Sequence, residues 1–280
     1  TTTGLASVVL VSGGIVNCTY TNSINQVTPT VTTAIHNANH SVVTSVPAGT
    51  TVHDSVSVTG SNGTPTGNVT FDWYTNGTCD GSPAVTSGTF PLSSGSVDAT
   101  TFTQGPLSVE SYSFKAHYAG DANYFAANSE CEPLTVTKLS PSISTTLSAT
   151  SVGIGVNVHD SSTLTGATGN AGGTVTYHAY AGANTCSGTD LFGGSGNQKT
   201  VTNGVVPNSD NISFNSAGTY SFQAVYSGDA NNNGATSVCS TEQVVVGKSS
   251  PTIATDIHNA SHSIVTSVPA GTTVHDSATV

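Results

Sequence analysis

One long segment of this chain occurs twice. The run TAIHNANHSVVTSVPAGTTVHDSVSV, from Thr33 to Val58, returns almost unchanged as TDIHNASHSIVTSVPAGTTVHDSATV, from Thr255 to Val280. Between them lies a diverged copy whose landmarks keep step: Pro29, Pro141 and Pro251; the VHDS runs starting at Val52, Val158 and Val274; Cys79 with Cys186; Cys131 with Cys239; Tyr118 with Tyr226. The period is about 110 residues, the size of one β-sandwich domain. The outer copies resemble each other more than either resembles the middle one, so the duplicated unit is a pair of domains. The reading divides the chain into 1–27, 28–137, 138–247 and 248–280.

Within each copy the hydrophobic pattern has period two. Val52, Val56 and Val58 share one parity; so do Val69, Phe71 and Trp73 in NVTFDWY, matched by Val175, Tyr177 and Ala179. Tyr112, Phe114, Ala116 and Tyr118 alternate in SYSFKAHY, and Leu134 with Val136, or Val244 with Val246, supply a closing strand. Alternation puts each set on one face of a strand, and the Gly/Asn-rich stretches between them are turns. Pro-bearing runs after Lys138 and Lys248 read as short linkers, because Pro cannot serve a central ladder position. About seven short strands per repeat, with no helical periodicity, predict all-β antiparallel sandwiches strung like beads.

Composition removes several function classes. Charged residues are 7% of the chain, Arg is absent and the net charge is −11, so there is no cationic surface to neutralise phosphates or hold an anionic bilayer. Nucleic acid and membrane insertion are not expected, and no stretch is long and apolar enough to span a bilayer. The chain opens without Met or a basic-then-apolar leader, and the third copy stops at Val280 part-way through a sandwich. The expectation is a piece of a longer array, or a unit completed by strands from another molecule.

Four of the five cysteines fall into the repeated spacing and read as disulfides Cys79–Cys131 and Cys186–Cys239, which implies an oxidising compartment. Cys18 has no partner by that rule. A redox-active role would want a close C-x-x-C pair or a cationic neighbourhood, and the sequence has neither.

Taken together, GTTVHDS, the GTVTY strand, the Cys before a turn, and Y-x-G-D-A-N followed by Cys resemble the bacterial Ig-like domain repeats of large secreted or surface-anchored proteins. The resemblance covers Thr28 to Val280. It implies immunoglobulin-like folds used for spacing and display at a prokaryotic cell surface, not catalysis. LASVVLVSGGIVNCTYTNS, two alternating runs around Gly13 and Gly14, reads as a hairpin. It resembles the last hairpin of prealbumin-like domains of surface proteins, which implies a Cys18 partner before Thr1.

The remaining candidates are mostly architectural. Asp54, Asp160 and Asp276 share the parity of core valines, and a buried carboxylate needs partners. The expectation is backbone N–H groups at a bulge or turn. The alternatives are calcium, with Asp54 and Asp121 as ligands or Asp229 in the next copy, and an isopeptide crosslink, which the poor register of lysines disfavours. Tyr118 and Tyr226 suggest hydroxyls bonded to backbone at a strand crossover. His36 with His40, and His258 with His262, fall on one side of a strand, with no third ligand nearby to make a metal site, so they are expected as exposed polar positions. No cofactor is expected beyond that calcium alternative. No G-x-S-x-G, H-E-x-x-H or phosphate loop appears, so the chain is expected to be non-enzymatic. Its expected role is the shaft of an extracellular fibre, stalk or adhesin, with neighbouring repeats as partners. Two alternatives stand beside it: a filament subunit joined by strand complementation, and an adhesin module binding surface glycan or protein through Tyr124, Tyr74 and Trp73.

Overall fold

The computed structural model describes residues 9, 11–17 and 25–280. Cys18 and most of the expected hairpin lie outside them; the described part turns at Gly13, φ 87°, where Gly14 N–H donates to Val11 O at 2.9 Å. The chain forms two compact units, residues 1–46 with 50–136 and residues 47–49 with 137–280.

The strands of the first unit are β1 (Thr30–Asn37), β2 (Ser45–Pro47), β3 (Val52–Thr59), β4 (Asn68–Tyr74), β5 (Val85–Thr86), β6 (Phe90–Pro91), β7 (Ser96–Asp98), β8 (Ser111–Tyr118), β9 (Ala127–Asn128) and β10 (Glu132–Thr137). One sheet has the order β1-β3-β7; the other runs β2-β10-β8-β4-β5, with β6 on β4 and β9 on β8. Val31, Val56 and Val58 from the first sheet pack with Val69, Phe71, Ala116 and Tyr118 from the second. These are the alternating positions of the sequence, and each large one contributes about 1.5–3 kcal/mol by leaving water. Trp73 stacks on Tyr112 at 5.0 Å between ring centres and packs on Phe114 at 4.6 Å.

In the second unit the strands are β11 (Ser142–Leu147), β12 (Ser151–Gly153), β13 (Asp160–Thr165), β14 (Thr174–Ala181), β15 (Asn197–Thr200), β16 (Gly218–Tyr226), β17 (Ala235–Thr236) and β18 (Gln243–Gly247). Strands β11 and β13 pair, facing a sheet of order β12-β18-β16-β14-β15 with β17 on β16. Strand β12 runs parallel to β18. Val175, Tyr177 and Ala179 are fully buried, as the alternation requires. The architecture is all-β, two antiparallel immunoglobulin-like sandwiches in tandem.

The third copy contributes one hairpin, β19 (Ala254–Asn259) with β20 (Val274–Thr279). Ile257 and Val274 are 51% and 43% exposed, whereas their counterparts Ile35 and Val52 in the first copy are fully buried. No helix among the described residues is long and apolar enough to cross a membrane.

The aromatic residues considered for glycan contact are internal. Trp73, Tyr74 and Tyr124 are all buried. The Tyr124 hydroxyl donates to Gly63 O at 2.6 Å and accepts from Asn62 N–H at 2.7 Å. The first copy therefore offers no platform built from them, because in DANYFA the residue facing outward is Phe125, 51% exposed.

Candidate functional site

Each sandwich carries the same latch. The turn after β4 is held by Asn76, whose Oδ1 accepts Thr78 N–H at 3.0 Å and whose Nδ2 donates to Asp80 O at 3.1 Å. Buried Ser113 of β8 reaches into this turn: it accepts Cys79 N–H at 3.2 Å and donates to Asn76 O at 2.8 Å. Cys79 then bridges to Cys131, the residue just before β10, with a Cα–Cα distance of 5.8 Å. The second unit repeats the device. Ser221 of β16 accepts Thr185 N–H at 3.3 Å and donates to Gly182 O at 2.7 Å, beside the Cys186–Cys239 bridge. Loops closed over 52 and 53 residues give about 4 kcal/mol each in the chain-entropy picture.

Next to each latch a buried aspartate, Asp54 or Asp160, faces a glutamate, half-buried Glu132 or buried Glu242. Asp54 sits in mid-strand on β3, opposite Ile35 in the ladder, at neither a bulge nor a turn. Both its carboxyl oxygens are buried and lack a well-aligned donor, contrary to the expected capture by backbone N–H groups. Burial, then the negative field of Glu132, pushes Asp54 up to about 8, against a weaker pull from the backbone of Ser55 and Ala34. Glu132 Oε1 accepts Ile35 N–H at 3.0 Å. In the second unit burial, then Glu242, pushes Asp160 up to about 8, and burial raises Glu242 as well. Both aspartic acids are thus protonated at neutral pH, which is how an unpaired buried carboxyl avoids the cost of charge. Asp276 in the third copy is exposed.

The G-D-A-N aspartates hold loops. Asp121 accepts N–H groups from Asn123 at 2.7 Å, Tyr124 at 2.9 Å and Thr66 at 2.7 Å. Partial desolvation works against its charged form, yet the donors from Thr66 and Asn123 hold it at about 2. Asp229 likewise accepts from Asn231 and Asn232 at 2.8 Å and from Gly172 at 2.7 Å. With their oxygens spent on backbone, these aspartates are turn anchors, and Asp54 meets Glu132 rather than Asp121. Tyr118 donates to Thr66 O at 2.7 Å, whereas Tyr226 donates to the Asp229 carboxylate at 3.2 Å, so only the first ties a hydroxyl to backbone.

The histidines differ most from expectation. His36 on β1 stands opposite His53 on β3. His40 lies in the following turn, with φ 57°, not on a strand, and its Nδ1 is 2.9 Å from Asp98 Oδ2 on β7. His36 Nδ1 is 3.7 Å from the same oxygen, and His53 Nε2 is 2.9 Å from Asp98 Oδ1. One ligand atom from each of these four residues lies within 4.8 Å of all the others. His53 is 4% exposed, and burial lowers its basicity against the opposing pull of Asp98. Sequence reasoning missed His53 and Asp98 because strand pairing, not spacing, brings them to His36. The available signal was that HNAxH and VHD travel together in the first and third copies.

Fold and latch define a protein of tandem immunoglobulin-like β-sandwiches. The family model described as Bacterial Ig-like domain (group 3) matches residues 39–137. Solved structures similar to the chain include Clostridium thermocellum CbhA fibronectin(III)-like modules, at 12% identity and TM-score 0.27, over 76% of this chain and 94% of that one. The Yersinia pseudotuberculosis adhesin InvE is similar at 13% identity and TM-score 0.30, over 77% and 58% of the two chains. A putative membrane anchored protein from Corynebacterium diphtheriae is similar at 14% identity and TM-score 0.28, over 84% and 63%. No function is read from likenesses this distant. No curated protein matches the chain.

Proposed function

We propose that this chain is a non-catalytic repeat segment of an extracellular fibre, stalk or adhesin shaft at a prokaryotic cell surface. The observation that carries the reading is the repetition of one latched sandwich: Cys79–Cys131 and Cys186–Cys239 close equivalent loops in two successive copies. A disulfide over such a span resists extension, because the enclosed residues cannot be pulled out until the bridge is reduced. Disulfides of this kind persist outside the cytosol. Immunogold labelling of intact expressing cells with antibody to residues 28–247 is expected to decorate surface projections. Label that appears only after permeabilisation refutes the assignment.

A second reading is a filament subunit that shares strands with its neighbours, whose added strands would cover Ile257 and Val274 of the β19–β20 hairpin as Ile35 and Val52 are covered in the first copy. Light scattering separates the two: this reading requires concentration-dependent polymers of the intact chain, and monomers across the accessible range exclude it.

A further inference from the structure

We propose that His36, His40, His53 and Asp98 bind one divalent transition-metal ion of the zinc class. The three strands carrying His36, His53 and Asp98 are neighbours in one sheet, so its ladder fixes their spacing. The turn between β1 and β2 delivers His40; Asn37 Oδ1 shapes it by accepting N–H groups from Asn39 at 3.0 Å and Ser41 at 3.1 Å. Three imidazole nitrogens and one carboxylate oxygen are a ligand set that zinc, cobalt, nickel and copper take and that calcium and magnesium do not. With bonds of about 2.0–2.1 Å, a tetrahedron has edges of about 3.4 Å. The distances from Asp98 Oδ2 to His40 Nδ1 and His36 Nδ1, 2.9 and 3.7 Å, bracket that value.

A plain hydrogen-bonded histidine–aspartate cluster explains the site less well. His53 lies on the face of β3 opposite the core-facing Val52 and Asp54, yet its side chain is 5% exposed, covered by its own cluster. His36 Nδ1, His53 Nε2 and Asp98 Oδ1 are all buried, and His53 Nε2 lies 2.9 Å from Asp98 Oδ1. One carboxylate facing three imidazoles places four ligand atoms within 4.8 Å of one another, close enough to share a single ion. The His40 side chain, 58% exposed, and that of Asp98, 35% exposed, leave an entry path.

The other copies supply an internal comparison. In the middle copy Leu147 pairs with Asp160 as Ile35 pairs with Asp54, which puts Ser148 at the place of His36 and His159 at that of His53. Ser209 N–H donates to Asp160 O as Ala99 N–H donates to Asp54 O, so Asn208 stands where Asp98 does. The ligands at the places of His36 and Asp98 are lost there and His159 alone remains of the three strand positions, while the fold, latch and acid pair persist. In the third copy His258 pairs with His275, and His275 Nε2 lies 3.1 Å from His262 Nδ1, so the three histidines converge again.

The test uses the untagged full chain, stripped with chelator and titrated with zinc chloride by calorimetry, in a His262→Ala/His275→Ala background that leaves only the first cluster intact. The expected result is one zinc per chain, no heat from calcium chloride, and a visible spectrum of tetrahedral cobalt when Co²⁺ replaces zinc. His40→Ala, in an exposed turn, and Asp98→Asn are each expected to weaken zinc at least tenfold with unchanged far-ultraviolet circular dichroism. His159→Ala in the middle copy is expected to change nothing. Absence of zinc binding, equal binding of calcium, or zinc affinity untouched by both His40→Ala and Asp98→Asn overturns the proposal.

Discussion

Replacing Asp160 by Asn tests whether the buried acid pair sets how stability depends on pH. Asp160 is fully buried and held at about 8 in the folded state, against an ordinary value of 3.8. A carboxyl with a raised folded pKa keeps its proton in the native state while the unfolded chain has released it. Its contribution is therefore complete below about pH 4 and is lost as pH rises toward 8. Between pH 5.5 and 7.5 the folded state holds about one extra proton, a slope of about 1.4 kcal/mol per pH unit, or roughly 2.7 kcal/mol across the window. Glu242, also raised by burial, acts with the same sign. For a urea m-value of about 1–3 kcal/mol per M, the midpoint of the second unit falls by roughly 1–3 M over that window. Pulse proteolysis of the full chain in urea, followed through peptides from residues 142–246, reads this unit alone. Asp160→Asn keeps the shape and cannot ionise, so it is expected to flatten the slope and exceed the parent in stability at pH 7.5. A parent midpoint that rises or stays level from pH 5.5 to 7.5, or a slope that the substitution leaves undiminished, refutes the reasoning.

Three further outcomes follow from the same structure. Cys79→Ser with Cys131→Ser is expected to destabilise the first unit by about 4 kcal/mol, read in urea through the fluorescence of buried Trp73, the one tryptophan of the chain. Tyr118→Phe removes the bond to Thr66 O and is expected to cost about 1 kcal/mol in the same assay. Gly173→Ala, with φ 77° and a new Cβ driven against Gly228 O, is expected to cost several times the roughly 1 kcal/mol of Gly63→Ala, whose φ of 92° is strained but whose surroundings are open; thermal unfolding of the two variants makes the comparison.

Strand interiors were legible because alternation is a local signal. Val69, Phe71 and Trp73 are all buried, as are Tyr112, Phe114, Ala116 and Tyr118. The cysteine pairs were legible for a different reason, because the repeat presents the same spacing twice. What escaped depends on partners that only the folded chain assembles. Glu132 and Glu242 follow the second cysteine of each repeat, where an acidic residue reads as solvated, but the ladder brings Glu132 to Ile35 and hence to Asp54. Tyr124 read as an exposed aromatic because it sits in a Gly/Asp/Asn loop; its ring fills the core and its hydroxyl closes on the 62–63 turn. Asp98 lies 58 residues from His40 in a Ser/Gly-rich run, so no spacing rule connects them.

The two complete copies separate the features that belong to the fold from those that do not. The latch, the serine beneath it, the acid pair and the G-D-A-N anchor occur in both, so each serves what every sandwich needs. The histidine–aspartate cluster is complete in the first copy and absent from the second, while its three histidines return in the third. Its retention in alternate copies fits the pairwise duplication read from the sequence: in an array built by copying two domains at a time, a metal site confined to one member recurs once per pair. Zinc stoichiometry then distinguishes the schemes, because a two-repeat piece spanning residues 28–247 is expected to bind one ion, and two ions would mean that the middle copy also holds a site.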